Sequence, residues 1–141
     1  MPHTAIHFFW EDISSNLKQK IRLRNWITNT IKEENKRLGE LTFIFCSDTY
    51  LLSINQEYLN HNTYTDIITF NNSEDERITG DIFISLERVH ENALRFKVSE
   101  EDELHRVMIH GTLHLLGYTD KGKDAKALMT NKENYYLLKR F

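Results

Sequence analysis

Residues 101–120 read Glu101-Asp102-Glu103-Leu104-His105-Arg106-Val107-Met108-Ile109-His110-Gly111-Thr112-Leu113-His114-Leu115-Leu116-Gly117-Tyr118-Thr119-Asp120. At a helical period of about 3.6 residues, Leu104, Val107, Met108, Gly111 and Leu115 fall within roughly 100° of arc, while Ile109, Leu113 and Leu116 occupy a second sector. A helix that is apolar on two sides runs through the middle of a fold. His110 and His114, one turn apart, project together between the two sectors. Gly117 takes a left-handed conformation at low cost, so it ends the helix and turns the chain back, letting Asp120 approach the point that both imidazoles face.

The pattern H-x-x-x-H-x-x-G-x-x-D supplies two nitrogens and one oxygen and leaves positions open for water or substrate, which suits a catalytic metal. Zinc, one ion per chain, is the expected occupant, because two imidazoles and a carboxylate match its preferences. The competing reading is a hydrogen-bonded core or surface histidine pair, with Asp120 bonding to nearby backbone as a turn aspartate. Seven histidines in 141 residues make accidental pairs easy, and His3 and His7 are also four apart. Those two lie in a predicted strand, about 13 Å apart on one face, and read as incidental. Gly117 and Asp120 at the right offsets separate His110 and His114 from such accidents. Position 111 is Gly, so the base of an H-E-x-x-H metalloprotease is missing.

Outward from this helix, Ser99-Glu100-Glu101-Asp102 offers a capping box with acids suited to a helix N-terminus. Thr4 to Phe9 predicts a strand, and Asp12 to Lys36 a helix carrying Ile13, Leu17, Ile21, Leu23, Ile27 and Ile31, closed at Leu38-Gly39. Leu41 to Cys46 predicts a buried strand. Ser47-Asp48 then offers N-cap chemistry for a helix through Tyr58. Asp66 to Phe70 and Ile78 to Ser85 predict two strands joined by the polar Asn71 to Arg77. Leu86 to Phe96 and Asp124 to Lys139 predict two further helices. About four strands and five helices make an α/β fold, with α+β the alternative: one small mixed sheet layered with helices, the metal site on a central helix and the following loop. A chain of this length suits a single domain over 1–141.

Hydrophobic residues make up 40% of the chain and charged residues 28%, the mixture of an ordinary globular domain rather than a disordered one. No window approaches the roughly 18 consecutive apolar residues of a membrane span, and a soluble, unexported, cytoplasmic protein is expected. The lone Cys46, in an apolar run, is read as packing.

The net charge of -3 hides an uneven distribution: residues 1–37 carry seven Lys/Arg against four Asp/Glu, residues 38–105 four against fourteen, and residues 106–141 seven against three. If the basic ends meet, they form a positive face for phosphates. Lys121, Lys123 and Lys126 beside the site are the candidate RNA contacts, helped by Lys18, Lys20, Arg22 or Arg24.

His110 to Tyr118 resembles the YbeY-family signature H-G-x-L-H-L-x-G-Y-D-H. Thr65-Asp66-Ile67-Ile68-Thr69-Phe70 resembles that family's T-D-V-L-S-F, and Asn55-Gln56-Glu57-Tyr58 and Gly80-Asp81-Ile82 match further blocks in the family's order. The resemblance spans roughly residues 43–120 and implies a zinc-binding endoribonuclease acting in 16S rRNA 3′-end maturation and ribosome quality control. Its implied partners are rRNA and the ribosomal subunit, with neither DNA nor a membrane involved. Two positions depart from the pattern. The family's third histidine falls on Asp120, whose negative charge makes a metal-held water less acidic than a neutral ligand would. The arginine after the family's tyrosine is Leu59, which cannot pair with a phosphate or a developing oxyanion.

The reaction expected from these residues is attack on an RNA phosphate by metal-activated water. Asp81 or Asp66 would position water or accept a hydrogen bond from a ligand histidine; each is equally a strand-end cap. Tyr118, Tyr64 and His61 are candidates for stacking on bases, against a plain core role. The alternatives are a non-catalytic ribosome-associated factor with a structural zinc and a small-molecule metallohydrolase.

Overall fold

The run Leu41 to Cys46 is almost continuously apolar because its strand is covered on both faces. The computed structural model, which describes residues 5–59 and 65–141, places it in β2 (Arg37–Cys46), between β1 (Ile6–Trp10) and β4 (Arg77–Ser85). With β3 (Ile67–Asn71) these form one sheet in the order β1-β2-β4-β3. The first three run parallel and β3 is antiparallel to β4, so the sheet is mixed, as expected. The helices are α1 (Lys20–Glu33), α2 (Asp48–Leu59), α3 (Leu86–Phe96), α4 (Glu100–Leu115) and α5 (Lys123–Leu137).

Leu41, Phe43 and Phe45 point to one face, where they join Ile6, Ile82 and Ile84 under α1 and α4 in the larger core. The other face carries a smaller core of Cys46, Leu51, Ile54 and Ile68 beneath α2. Cys46 is fully buried and its thiol is pushed up to about 12 by burial, first of all, and then by the acids near it, which makes it packing and no nucleophile. α4 is buried along most of its circumference, with the sheet beneath and α1, α3 and α5 around it. Its seat on the sheet depends on Gly111, where a Cβ would stand 2.8 Å from side-chain atoms of both Ile67 and Ile82.

Two expected boundaries move. The helix predicted from Asp12 begins only at Lys20, because Gln19 is left-handed (φ 60°) and the segment before it is held otherwise: the Asp12 carboxylate accepts from the Ser47 backbone N–H at 2.9 Å. Leu17 is buried all the same, from a segment outside any helix or strand, so its helical spacing was coincidental. Leu38-Gly39 does not close the helix but lies inside β2, at an irregularity of register with β4; α1 stops earlier, where Asn35 turns left-handed (φ 64°). β2 begins at Arg37, four residues before the expected Leu41, and the remaining elements fall within a residue or two of expectation. Ser99 caps α4 by accepting from the Asp102 backbone N–H, and Ser47 caps α2 by accepting from that of Tyr50. Thr4, His3, His61 and Tyr64 lie outside the described residues. No helix among the described residues is long and apolar enough to cross a membrane.

Candidate metal centre

The helix that carries both histidines ends in a Schellman motif. The Gly117 N–H donates to the His114 carbonyl (3.0 Å) and the Tyr118 N–H to the Leu113 carbonyl (3.0 Å), with Gly117 at φ 107°. This turn does two things for the site. It brings the Tyr118 carbonyl 3.1 Å from His114 Nδ1, and it sends the chain back so that Asp120 returns to the helix. Asp120 Oδ2 then lies 3.4 Å from His110 Nε2 and 3.6 Å from His114 Nε2.

The two Nδ1 atoms determine which nitrogens are available. His114 Nδ1 faces a carbonyl, which only accepts, so this nitrogen carries the proton and donates. His110 Nδ1 likewise donates to Glu133 Oε2, at 2.6 Å. Both Nε2 atoms are left with bare lone pairs, and they face each other at 3.0 Å. Two lone pairs and a carboxylate oxygen directed at one point repel one another unless a cation or a proton lies between them. Among the described residues, His110, His114 and Asp120 are the only such group whose ligand atoms all lie within 4.8 Å of one another, and this group can bind a metal ion.

Protonation follows the same geometry. Burial disfavours the charged form of His110, yet the Glu133 carboxylate, with Asp120 and Asp66 nearby, raises its pKa above the ordinary value. Burial, together with positive charge on His110, holds His114 below its ordinary value. In the absence of a metal, His110 takes the first proton and the pair resists a second.

Glu133 was not anticipated. Its Oε1 accepts from Arg106 Nη1 at 2.8 Å, so both carboxylate oxygens are fixed and the ring plane of His110 with them. The signal was present: Met129, Glu133 and Tyr136 form the buried stripe of α5, and an acid in an apolar stripe needs a partner. The role foreseen for Asp66 or Asp81, hydrogen-bond acceptor for a ligand histidine, therefore belongs to Glu133. Asp81 lies on the opposite side of the sheet from α4, because strand alternation turns Gly80 and Ile82 toward Leu115 and Gly111. Asp66 does reach the site's cavity. It lines a space of about 500 Å³ with His110, Glu103, Asp120, Arg88 and Lys126, among others, and burial raises its pKa.

Of the candidate cations, Lys126 lines this cavity and Lys121 and Lys123 are exposed beside Asp120. Lys20, Arg22 and Arg24 do not line it; they lie over the rings of Trp10, Phe141 and Phe8. The chain ends do meet, but Lys132 pairs with Glu34, Lys139 with Glu33 and Arg140 with Asp102, which leaves less free positive charge than the sequence count suggests. Tyr118 is no stacking platform: it packs against the core and its hydroxyl donates to Glu34 Oε1 at 2.6 Å. His7 pairs with Glu40 at 2.8 Å, away from the centre.

The sequence model described as "Endoribonuclease YbeY" matches residues 9–140. A protein of that name from Cytophaga hutchinsonii is 48% identical over the full length of both chains. Another, from Flavobacterium psychrophilum, is 51% identical over 87% of this chain and 88% of its own. The solution structure of a Thermotoga maritima protein, 28% identical, superposes with a TM-score of 0.65 over 94% of this chain and 86% of that one. With its histidine turn and its mixed sheet, this chain belongs to the YbeY endoribonuclease family.

Proposed function

We propose that the protein is a zinc-dependent endoribonuclease that cuts rRNA, acting in 16S rRNA 3′-end maturation and ribosome quality control in the cytoplasm. The observation that carries this reading is the convergence of His110 Nε2, His114 Nε2 and Asp120 Oδ2, with both histidine Nδ1 atoms already donating elsewhere. Family membership supplies the substrate class, and rRNA and the ribosomal subunit are the proposed partners.

Held by His110, His114 and Asp120, a zinc ion would supply Lewis acidity, making water more acidic and polarising a phosphoryl oxygen. The chain's own residues prepare the site for that chemistry. Glu133 and the Tyr118 carbonyl lock the two imidazoles in the tautomer that presents Nε2. Lys126 and Arg95 bring positive charge to the cavity beside His110, where a phosphodiester must sit. Leu59, where the family carries an arginine, ends α2 and is 41% exposed, and Arg95 and Lys126 are the exposed cations that line the cavity. Asp66, in the same cavity, is the carboxyl group available to hold a proton or orient water near His110.

The test is cleavage of structured rRNA fragments by purified protein, with and without chelator, beside a His114→Ala control. Cleavage that chelator stops, zinc restores and the variant lacks supports the reading. Chelator-insensitive cleavage, or equal cutting by the variant, would overturn it.

A further inference from the structure

The cavity beside the metal centre contains one buried group that the chemistry above does not use. Glu103 is only 5% exposed and lines the cavity, yet among the described residues its carboxylate makes no hydrogen bond and no ion pair. Its acidic neighbours are engaged. Both Glu133 oxygens are taken, and Asp66 Oδ2 receives the Asn92 amide at 3.5 Å. No side-chain oxygen in the described residues is both buried and unpaired, so the Glu103 carboxylate opens onto the cavity, where it is free to accept from a ligand that brings donors. Burial, and then the charge of Asp66, push the pKa of Glu103 up, against the pull of the Arg106 guanidinium.

The acids around Glu103 do not form a three-ligand cation site. Glu103, Asp66 and Glu133 do not close on a common point, and the convergence a cation needs occurs among the described residues only at His110, His114 and Asp120. The other walls point elsewhere. Phe96, the last residue of α3, lines the cavity while 59% exposed, offering an aromatic face to a planar ring. Arg95 and Lys126 are exposed cations on the same cavity. An exposed aromatic ring, cations for phosphates and a carboxylate that faces the cavity without a protein donor together describe a site for one nucleotide.

The base follows from the acceptor. A carboxylate can only accept, and guanine presents N1–H and N2–H side by side, two donors for two oxygens. Adenine and cytosine set a ring acceptor beside their amino group, and uracil flanks its single donor with two carbonyls, so each turns lone pairs toward the acid. Given the endoribonuclease reading on which this rests, we propose that the cavity holds a guanine of the RNA beside the scissile phosphate, its ring on Phe96, its Watson–Crick edge on Glu103 and its phosphates near Arg95 and Lys126.

Calorimetric titration of the full chain with guanosine, adenosine, cytidine and uridine 5′-monophosphates tests this, in chelator so that no phosphate binds a metal. The guanosine nucleotide should bind about tenfold tighter than the other three. E103Q should abolish that preference, and F96A, at an exposed position, should weaken all four alike; melting curves check that both variants fold. Equal affinity for the four nucleotides, or a preference that survives E103Q, would overturn the proposal. So would loss of manganese binding in E103Q without any nucleotide preference, which would mark a cation site instead. Guanine-selective binding by a protein that cuts no RNA would refute the nuclease reading and leave the pocket standing. Cutting of RNA with no preference for guanine would do the reverse.

Discussion

Glu133 Oε2 lies 2.6 Å from His110 Nδ1 while Glu133 Oε1 lies 2.8 Å from Arg106 Nη1, so an acid on α5 fixes the orientation of a ligand on α4. An anionic acceptor raises the basicity of the imidazole it holds and fixes its tautomer. Glu133→Gln keeps the volume and loses the charge. Zinc affinity, measured by competition with a chromophoric chelator, should fall about 10–100-fold. An unchanged affinity would show that His110 needs no such support.

Asp120 is the proposed ligand that departs from the family's motif, and three substitutions isolate it. Asp120→Asn should weaken zinc binding and abolish metal-dependent cleavage, because a neutral amide is a poor zinc ligand. Asp120→His should keep the metal. Thr119→Ala, at the exposed neighbouring position, should change little. If Asp120→Asn bound zinc as tightly as the parent, Asp120 would be a turn residue and the two histidines the only ligands on the chain.

RNA binding should be steeply salt-dependent, since each phosphate neutralised releases counterions. Reversing Lys121, Lys123 and Lys126 to Glu should weaken binding of structured rRNA and flatten that slope, with the largest single effect at Lys126, which lines the cavity. Filter binding across a salt series is the measurement. A slope unchanged by the triple reversal would remove this surface from the account.

Glu34 ties the turn carrying Asp120 to the rest of the fold: it accepts from Tyr118 (2.6 Å), Tyr136 and Lys132 (3.1 Å). Burial alone would raise its pKa, but these donors outweigh burial and hold it below the ordinary 4.5. A depressed folded-state value means that the unfolded chain binds the proton more readily. The associated stability is present above the unfolded value and is lost as pH falls through the folded one. Glu34→Gln should therefore cost about 1–3 kcal/mol near neutral pH, where the charged acceptor is intact. In urea unfolding, the gap between parent and variant should narrow in acid, below the ordinary carboxylate range. A gap independent of pH would mean that the charge contributes nothing.

The histidine turn was legible because its information is local. One helical period brings His110 to His114, and one glycine permits the Schellman turn that returns Asp120. Helices α3 and α4 and strand β4 were legible for similar reasons, their caps and periods lying within a few residues. What escaped depended on partners far along the chain. Glu133 meets His110 across 23 residues, and Asp12 meets Ser47 across 35, so neither the support of the ligand nor the late start of α1 showed in a local window. Asp81 was misplaced because a matching block says nothing about which face of the sheet its side chain occupies; strand alternation settles that only once Gly80 is seen against Leu115. The basic ends were overestimated because counting charges does not reveal that Glu33, Glu34 and Asp102 neutralise them.

The most direct test of the central claim, that His110, His114 and Asp120 together hold a metal ion, is elemental analysis of protein purified without chelator, for the parent and for His110→Ala. The account predicts about one zinc ion per chain in the parent and close to none in the variant. A His110→Ala protein that retained the parent's full metal content would contradict it.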